Sequence, residues 1–249
     1  SLSAESFTRI DQDLKSGWPQ EVPNENILSE ITPNRAVSFA DLNNDGVDEV
    51  IATSYQTLHV WQADGSAYPG FPVSLPHPSA GAVSIFDVNQ DGYLDIITPL
   101  SALDGSGEIA IYDNTGFLLF GYPLATGIAY DEDVMQLDFS RSVSVQDVDG
   151  DSIPELVFVI KAITDIDVYY GFKVGKLYAG VMHLDGSFAG SWPKQIGYAA
   201  GYHSGETLVI DRDGDGDNEL LFISGVASGM GSENYFQEYA HTGEFISNI

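Results

Sequence analysis

Cysteine is absent from this chain. Disulfides, thiolate zinc sites and thiol catalysis are therefore excluded, although the absence assigns no compartment. Positive charge is scarce: Lys and Arg total 9 against 37 Asp and Glu, for a formal net charge of −28. Nucleic-acid affinity comes largely from Lys and Arg releasing counterions, and anionic membranes attract the same side chains. Neither is expected as a partner. No apolar run is long enough to span a bilayer, so membrane insertion is not expected. Ser1-Leu-Ser-Ala does not read as a signal peptide, which predicts a mature or excised chain. Catalytic signatures are missing as well: there is no G-x-S-x-G elbow, H-E-x-x-H helix, Walker loop or G-x-G-x-x-G turn. His59 sits in a strand pattern, and His203 in a stretch rich in Gly and Tyr. The neighbouring acids Asp131-Glu132-Asp133 do not amount to a glycosidase pair flanking a substrate. Intrinsic catalysis is not expected.

What is present is an acidic phrase that occurs four times. It reads Asp41-Leu-Asn43-Asn-Asp45-Gly46-Val47-Asp-Glu49, then Asp87-Val-Asn89-Gln-Asp91-Gly92-Tyr93-Leu-Asp95. It returns as Asp147-Val-Asp149-Gly-Asp151-Ser152-Ile153-Pro-Glu155 and as Asp211-Arg-Asp213-Gly-Asp215-Gly216-Asp217-Asn-Glu219. Positions 1, 3, 5 and 9 carry oxygen-bearing side chains, and position 7 is counted with them as a ligand position. Hard cations such as calcium take roughly 6–8 oxygen ligands from loops of this kind. Up to four structural calcium ions are expected. Positions 1, 3, 5 and 9 carry 14 carboxylates in all, and four divalent ions would bring the formal charge from −28 to −20. Solvated Asp/Asn/Gly turns are the plainer reading, but stacking three or four carboxylates in one turn is costly without a cation.

The first aspartates stand at 41, 87, 147 and 211, spacings of 46, 60 and 64 residues. Repetition at this length signals repeat architecture, and the shortest spacing fits one four-stranded propeller blade. Short β-branched or aromatic runs bounded by Gly, Pro and Asp flank each loop, as strands should. In the first unit they are 36–40, 49–53, 58–61 and 71–75, with Pro72 marking an edge strand. The units are predicted at 36–76, 82–125, 141–197 and 206–249 within a single domain covering 1–249. Asp-Gly or Thr-Gly turns join third to fourth strands, and Phe71-Pro72, Tyr122-Pro123 and Trp192-Pro193 open the outer strands. The fourth unit stops before such a pair, whereas Gly17-Trp18-Pro19 supplies one at the other end. Residues 1–24 are therefore expected to complete the last blade and close the ring, which protects sheet edges. The alternative is a piece of a larger propeller.

These residues resemble the FG-GAP/VCBS repeat family, the calcium-loop blades of integrin α-chain propellers and of many secreted bacterial proteins. The family's loop is D-x-D/N-x-D-G-x-x-D. Gly46, Gly92 and Gly216 keep its glycine, while Ser152 replaces it, which predicts a strained turn or a weaker ion in the third copy. The resemblance implies an all-β propeller of four-stranded antiparallel blades that is extracellular, on the cell surface or periplasmic. An EF-hand would need an acid at position 12 followed by a helix. Position 12 is Ala52, Thr98, Phe158 and Phe222, each in a β-type run.

In an up-and-down blade the acidic loops and Asp-Gly turns share one side. The longer insertions, 126–140, 197–206, 99–108, 161–176 and 225–234, then fall on the other. Long loops on a rigid scaffold are the usual carriers of function. A partner face is expected there, with Tyr130, Asp131, Glu132, Asp133, Asp165, Asp167, Tyr169, Tyr170, Tyr198, Tyr202 and His203. Tyrosines among carboxylates suit a basic protein segment or a carbohydrate, which points to a binding or adhesion module. Two further readings stand beside it: an accessory or catalytic propeller of a secreted polysaccharide- or protein-processing enzyme, and a structural module of a large multidomain surface protein.

Overall fold

A computed structural model describes residues 15–20, 37–101, 107–123, 136–139, 143–166, 173–200, 207–228 and 231–248. It holds four antiparallel sheets and, among the described residues, no helix. The first is β1 (Val37–Ala40), β2 (Glu49–Ser54), β3 (Thr57–Trp61) and β4 (Val73–Ser74); the second is β5 (Ser84–Phe86), β6 (Asp95–Ser101), β7 (Gly107–Tyr112) and β8 (Leu118–Pro123). The third holds β10 (Ser144–Gln146), β11 (Glu155–Ile166), β12 (Lys173–Met182) and β13 (Lys194–Ala200), with β9 (Gln136–Phe139) also paired to β11. The fourth is β14 (Thr207–Ile210), β15 (Glu219–Ser228), β16 (Gly231–Ala240) and β17 (Phe245–Asn248). Each sheet runs in sequence order, which is the up-and-down blade the repeats predict.

The core lies between successive sheets. Ile51, Leu58 and Val60 meet Ile96 and Leu100 in one apolar cluster. Ile97, Ile109 and Ile111 meet Phe158 and Ile160 in a second, and Val157 and Val159 join Leu220, Phe222 and Trp192 in a third. Adjacent residues such as Ile96 and Ile97 serve different clusters because side chains alternate across a strand. A strand buried on both faces therefore reads as a continuous apolar run rather than an alternating one.

Aromatic side chains also tie one sheet to the next. Trp192 Nε1 donates to the His241 carbonyl at 2.8 Å, and the Tyr122 hydroxyl donates to that of Leu184. Burial pushes the Tyr122 phenol up to about 12, with the Asp185 charge adding to it, so it stays a neutral donor. Backbone crowds at the same joints: a Cβ on Gly70 would lie 2.0 Å from the Thr115 carbonyl oxygen.

Three expectations are corrected. The fourth sheet completes itself with β17, whose Phe245 pairs with Tyr239. The run after Gly243 supplies that strand without an aromatic-proline pair, as Leu118–Phe120 does after Gly116. Trp18 instead docks on the first sheet, donating from Nε1 to the Ala63 carbonyl at 3.2 Å with its ring edge-on to Trp61. Second, the described residues do not show closure of the ring. Val37 and Phe39 on the far side of the first sheet are 53% and 64% exposed, and Leu208 and Ile210 on the fourth are 55% and 42% exposed. The two end sheets do not bury these faces against each other. Third, much of the predicted loop length is strand. Residues 161–166 and 173–176 continue the β11–β12 ladder, 225–228 and 231–234 continue β15–β16, and β9 lies within 126–140.

Candidate metal centres

Each acidic phrase joins the first strand of a sheet to the second. Position 9 is the first residue of that second strand: Glu49 in β2, Asp95 in β6, Glu155 in β11 and Glu219 in β15. This places a carboxylate under its own loop, at 2%, 1%, 0% and 7% exposure in that order. One oxygen of each accepts the backbone N–H of position 2 (Leu42, Val88, Val148 or Arg212) at 2.9 Å. Position 2 is itself a buried plug in three copies, Leu42, Val88 and Val148. In the fourth it is Arg212, whose guanidinium pairs with the buried Glu238 at 2.6 Å.

Position 1 closes the turn. Asp41 accepts from the Asp45 and Gly46 amides at 3.0 and 2.8 Å, and Asp87 from those of Asp91 and Gly92 at 3.1 and 2.9 Å. Asp147 accepts from Gly150 and Ser152 at 2.8 and 2.9 Å, and Asp211 from Gly214 and Gly216 at 2.7 and 3.2 Å. The side chains of Asn43, Asn89, Asp149 and Asp213 each accept from the position-5 amide. Asp45, Asp91, Asp151 and Asp215 in turn accept from the amides of Val47, Tyr93, Ile153 and Asp217. Backbone donors thus gather the acids around one centre. The turn needs a left-handed residue at position 6, and Ser152 adopts φ +70° there without glycine's freedom.

The copies differ in how far their acids converge. Ligand oxygens of Asp147, Asp149 and Glu155 lie within 4.8 Å of one another, and so do those of Asp211, Asp213 and Glu219. In the first two copies position 3 is asparagine, and Asn43 and Asn89 donate Nδ2 to Asp45 and Asp91 at 3.1 and 3.0 Å.

The electrostatics fit a cation. Burial pushes the Asp95 carboxyl up to about 6, helped by the Asp91 and Asp87 charges and opposed by the Val88 amide. Its Oδ1 is buried with no hydrogen-bond partner. Burial also raises Glu49, with Asp45, Asp41 and Asp48 adding to it, and Glu155, with Asp149 adding and His183 opposing. His183 Nδ1 is 3.4 Å from Glu155 Oε1. A divalent ion at each centre would reverse these penalties by supplying the missing positive charge. All-oxygen donor sets of this kind suit calcium.

The structure gathers the side chains of positions 1, 3, 5 and 9 in each turn, and the second-strand start at position 9 is legible in the sequence as an acid before a β-type run. Sequence reasoning missed the apolar plug at position 2, although Leu42, Val88 and Val148 are a visible pattern, and the Arg212–Glu238 pair, which no spacing signals. The predicted partner residues Tyr130, Asp131, Glu132, Asp133, Asp167, Tyr169, Tyr170, Tyr202 and His203 lie outside the described residues. The backbones of Asp165 and Tyr198 are described, in β11 and β13.

Residues 41–98, which hold the first two loops and the strands between them, match the model of the FG-GAP-like repeat. No curated protein matches the chain. Among solved structures, the crystal structure of rhamnogalacturonan lyase YesW is similar over 87% of this chain, at 15% sequence identity and a TM-score of 0.44. The chain spans 42% of that lyase's length. The matched segment holds two of the four in-phase copies, in a chain whose four sheets each run as a sequential, four-stranded up-and-down blade of a β-propeller.

Proposed function

We propose that this chain is a calcium-stabilised propeller module that works outside the cell and binds a protein or carbohydrate ligand, without catalysis of its own. The observation that carries the metal reading is the buried position-9 carboxylate, repeated in all four loops, with Asp95 Oδ1 left unpartnered. An anion held this way beside two or three more needs a counter-ion. Extracellular calcium is abundant enough to fill weak sites. When bound, the ion supplies charge neutralisation and a cross-link between the turn and the second strand.

The ligand reading rests on asymmetry. Every acidic loop sits where a first strand meets a second, so the second-to-third hairpins lie at the opposite end of each blade. There the third and fourth blades extend far beyond the metal end, through the 12- and 10-residue strands β11 and β12 and the 10-residue β15 and β16. Long hairpins on a rigid scaffold are suited to recognition.

The test is a panel of secreted proteins and glycans presented to the chain in calcium and in chelator. Replacing residues 167–172 with Asn-Gly, a two-residue turn that can join the paired Ile166 and Lys173, should abolish capture without lowering the melting temperature. Undiminished capture by that variant and by one lacking 126–135 counts against the hairpin face. Turnover of any glycan by the chain counts against the non-catalytic reading.

A further inference from the structure

We propose that the calcium loops fill as two coupled pairs, loop 1 (41–49) with loop 2 (87–95) and loop 3 (147–155) with loop 4 (211–219), each joined by one asparagine amide. This rests on the calcium reading above. Asn44 Nδ2 donates to the Gly92 carbonyl at 2.8 Å, bridging loops 1 and 2. Asn218 Nδ2 donates to the Asp147 carbonyl at 3.1 Å, bridging loops 4 and 3. Among the described residues no such bridge joins loops 2 and 3. Neither asparagine is part of the repeat: position 4 is Asn only in loop 1, and position 8 is Asn only in loop 4.

Both ends of the first bridge are parts of ion-binding turns. The Gly92 peptide offers its carbonyl to Asn44, while its N–H donates to Asp87 at position 1 of loop 2, at 2.9 Å. Asn44 holds φ +61° in the turn that brings the Asp45 amide to Asp41 and Asn43. An ion that draws Asp87 inward fixes the Gly92 peptide, and an ion that draws Asp41 inward fixes the Asn44 backbone. The first ion to bind therefore orders one end of the bridge and, through it, the other loop, so the second ion meets less disorder. Loop 2 adds an independent observation, the buried Asp95 Oδ1 with no hydrogen-bond partner. One neutral hydrogen bond limits the coupling to about fivefold in affinity. By linkage the effect is the same in both directions.

Tyr93 at position 7 of loop 2 provides a local reporter, because a tyrosine beside a bound terbium ion sensitises its emission. Terbium titrations of the full chain, taking the emission lost in Tyr93→Phe as the loop 2 signal, would be run in a cycle of Asp41→Asn and Asn44→Gly. The glycine keeps the left-handed backbone and removes only the amide. Asp41→Asn should weaken loop 2 about fivefold when Asn44 is present and leave it unchanged in Asn44→Gly. An equal loss in both backgrounds, or no loss in either, overturns the coupling while leaving calcium binding intact. Absence of Tyr93-dependent emission together with no calcium-induced rise in melting temperature overturns the metal reading instead, and the coupling with it. A second readout needs no change at Asn44. In Asp87→Asn, calcium should protect residues 41–49 from hydrogen exchange less than in the unaltered chain, and equal protection overturns the proposal.

Discussion

In loops 1 and 2 position 3 is an asparagine, and its amide donates to the position-5 carboxylate. In loops 3 and 4 position 3 is an aspartate, and three carboxylates converge within 4.8 Å. Position 4 differs in step: Asn44 and Gln90 hold φ +61° and +57°, whereas Gly150 and Gly214 take up the left-handed turn without a side chain. The first pair carries part of its own neutralisation as an internal donor. The second pair lacks that donor and brings one more carboxylate to each turn. The same backbone turn thus sets two different balances between stability without an ion and affinity for one.

The largest expected effect comes from removing all ions. At a tenfold excess over its dissociation constant each site contributes about 1.4 kcal/mol, and a chain of this size shifts by roughly 2–4 °C per kcal/mol. Chelation should therefore lower the melting temperature by on the order of 10 °C. Calcium should restore it better than magnesium, which demands a stricter octahedral shell. A scan that does not move in chelator removes the structural-metal claim.

Asn43→Asp converts loop 1 to the chemistry of loop 3. Without calcium it should destabilise by about 1 kcal/mol, since a donor is lost and a like charge gained. With calcium it should bind more tightly, so the gap between melting temperatures with and without calcium widens. A gap that narrows breaks the comparison.

The pH dependence sharpens it further. The folded Asp95 carboxyl sits near 6 against an ordinary value of 3.8. A raised acid favours the folded state most below its unfolded value, and that contribution is lost as pH rises through about 6. In chelator, stability should therefore decline from pH 4 to pH 7, and Asp95→Asn should flatten part of that slope. In calcium the trend should reverse, because protons and the ion compete for the same oxygen. Thermal melts across that range in both conditions would check it.

The smallest effect belongs to Ser152→Gly. Relieving a left-handed serine gains roughly 1–2 kcal/mol, and glycine's greater freedom in the unfolded chain takes back roughly 0.5–1. A net gain below about 1 kcal/mol is expected in denaturant unfolding, with the Ser152 amide still held by Asp147. A loss would show that the hydroxyl contributes something the turn geometry does not.

The blades were legible because loop, turn and strand repeat in phase, and each β-type run begins where the acids end. The four acidic turns and their gathered carboxylates were legible for the same reason. Strand ends were not. Residues 161–166 carry Lys161 and Asp165, and 231–234 carry Ser232 and Glu233, so polar composition read as loop although both segments lie in ladders. What holds them is pairing with a neighbouring strand, which composition along one strand does not record. The aromatic-proline pair does not mark the fourth blade's outer strand. Phe245–Asn248 satisfies the ladder without one, since a single register-shifted hairpin turn suffices.

Every strand that leaves an acidic loop starts on the buried carboxylate beneath it. A pull on the tip of the β11–β12 hairpin would travel down β11 to Glu155, and one on β15–β16 would end at Glu219. Under the proposed calcium reading, these carboxylates are the anchorage for tension applied at the distant tips. Loaded with calcium, the blades would resist being drawn apart; stripped of it, the same tug would peel second strands from their neighbours, making mechanical strength a property set by the surrounding fluid.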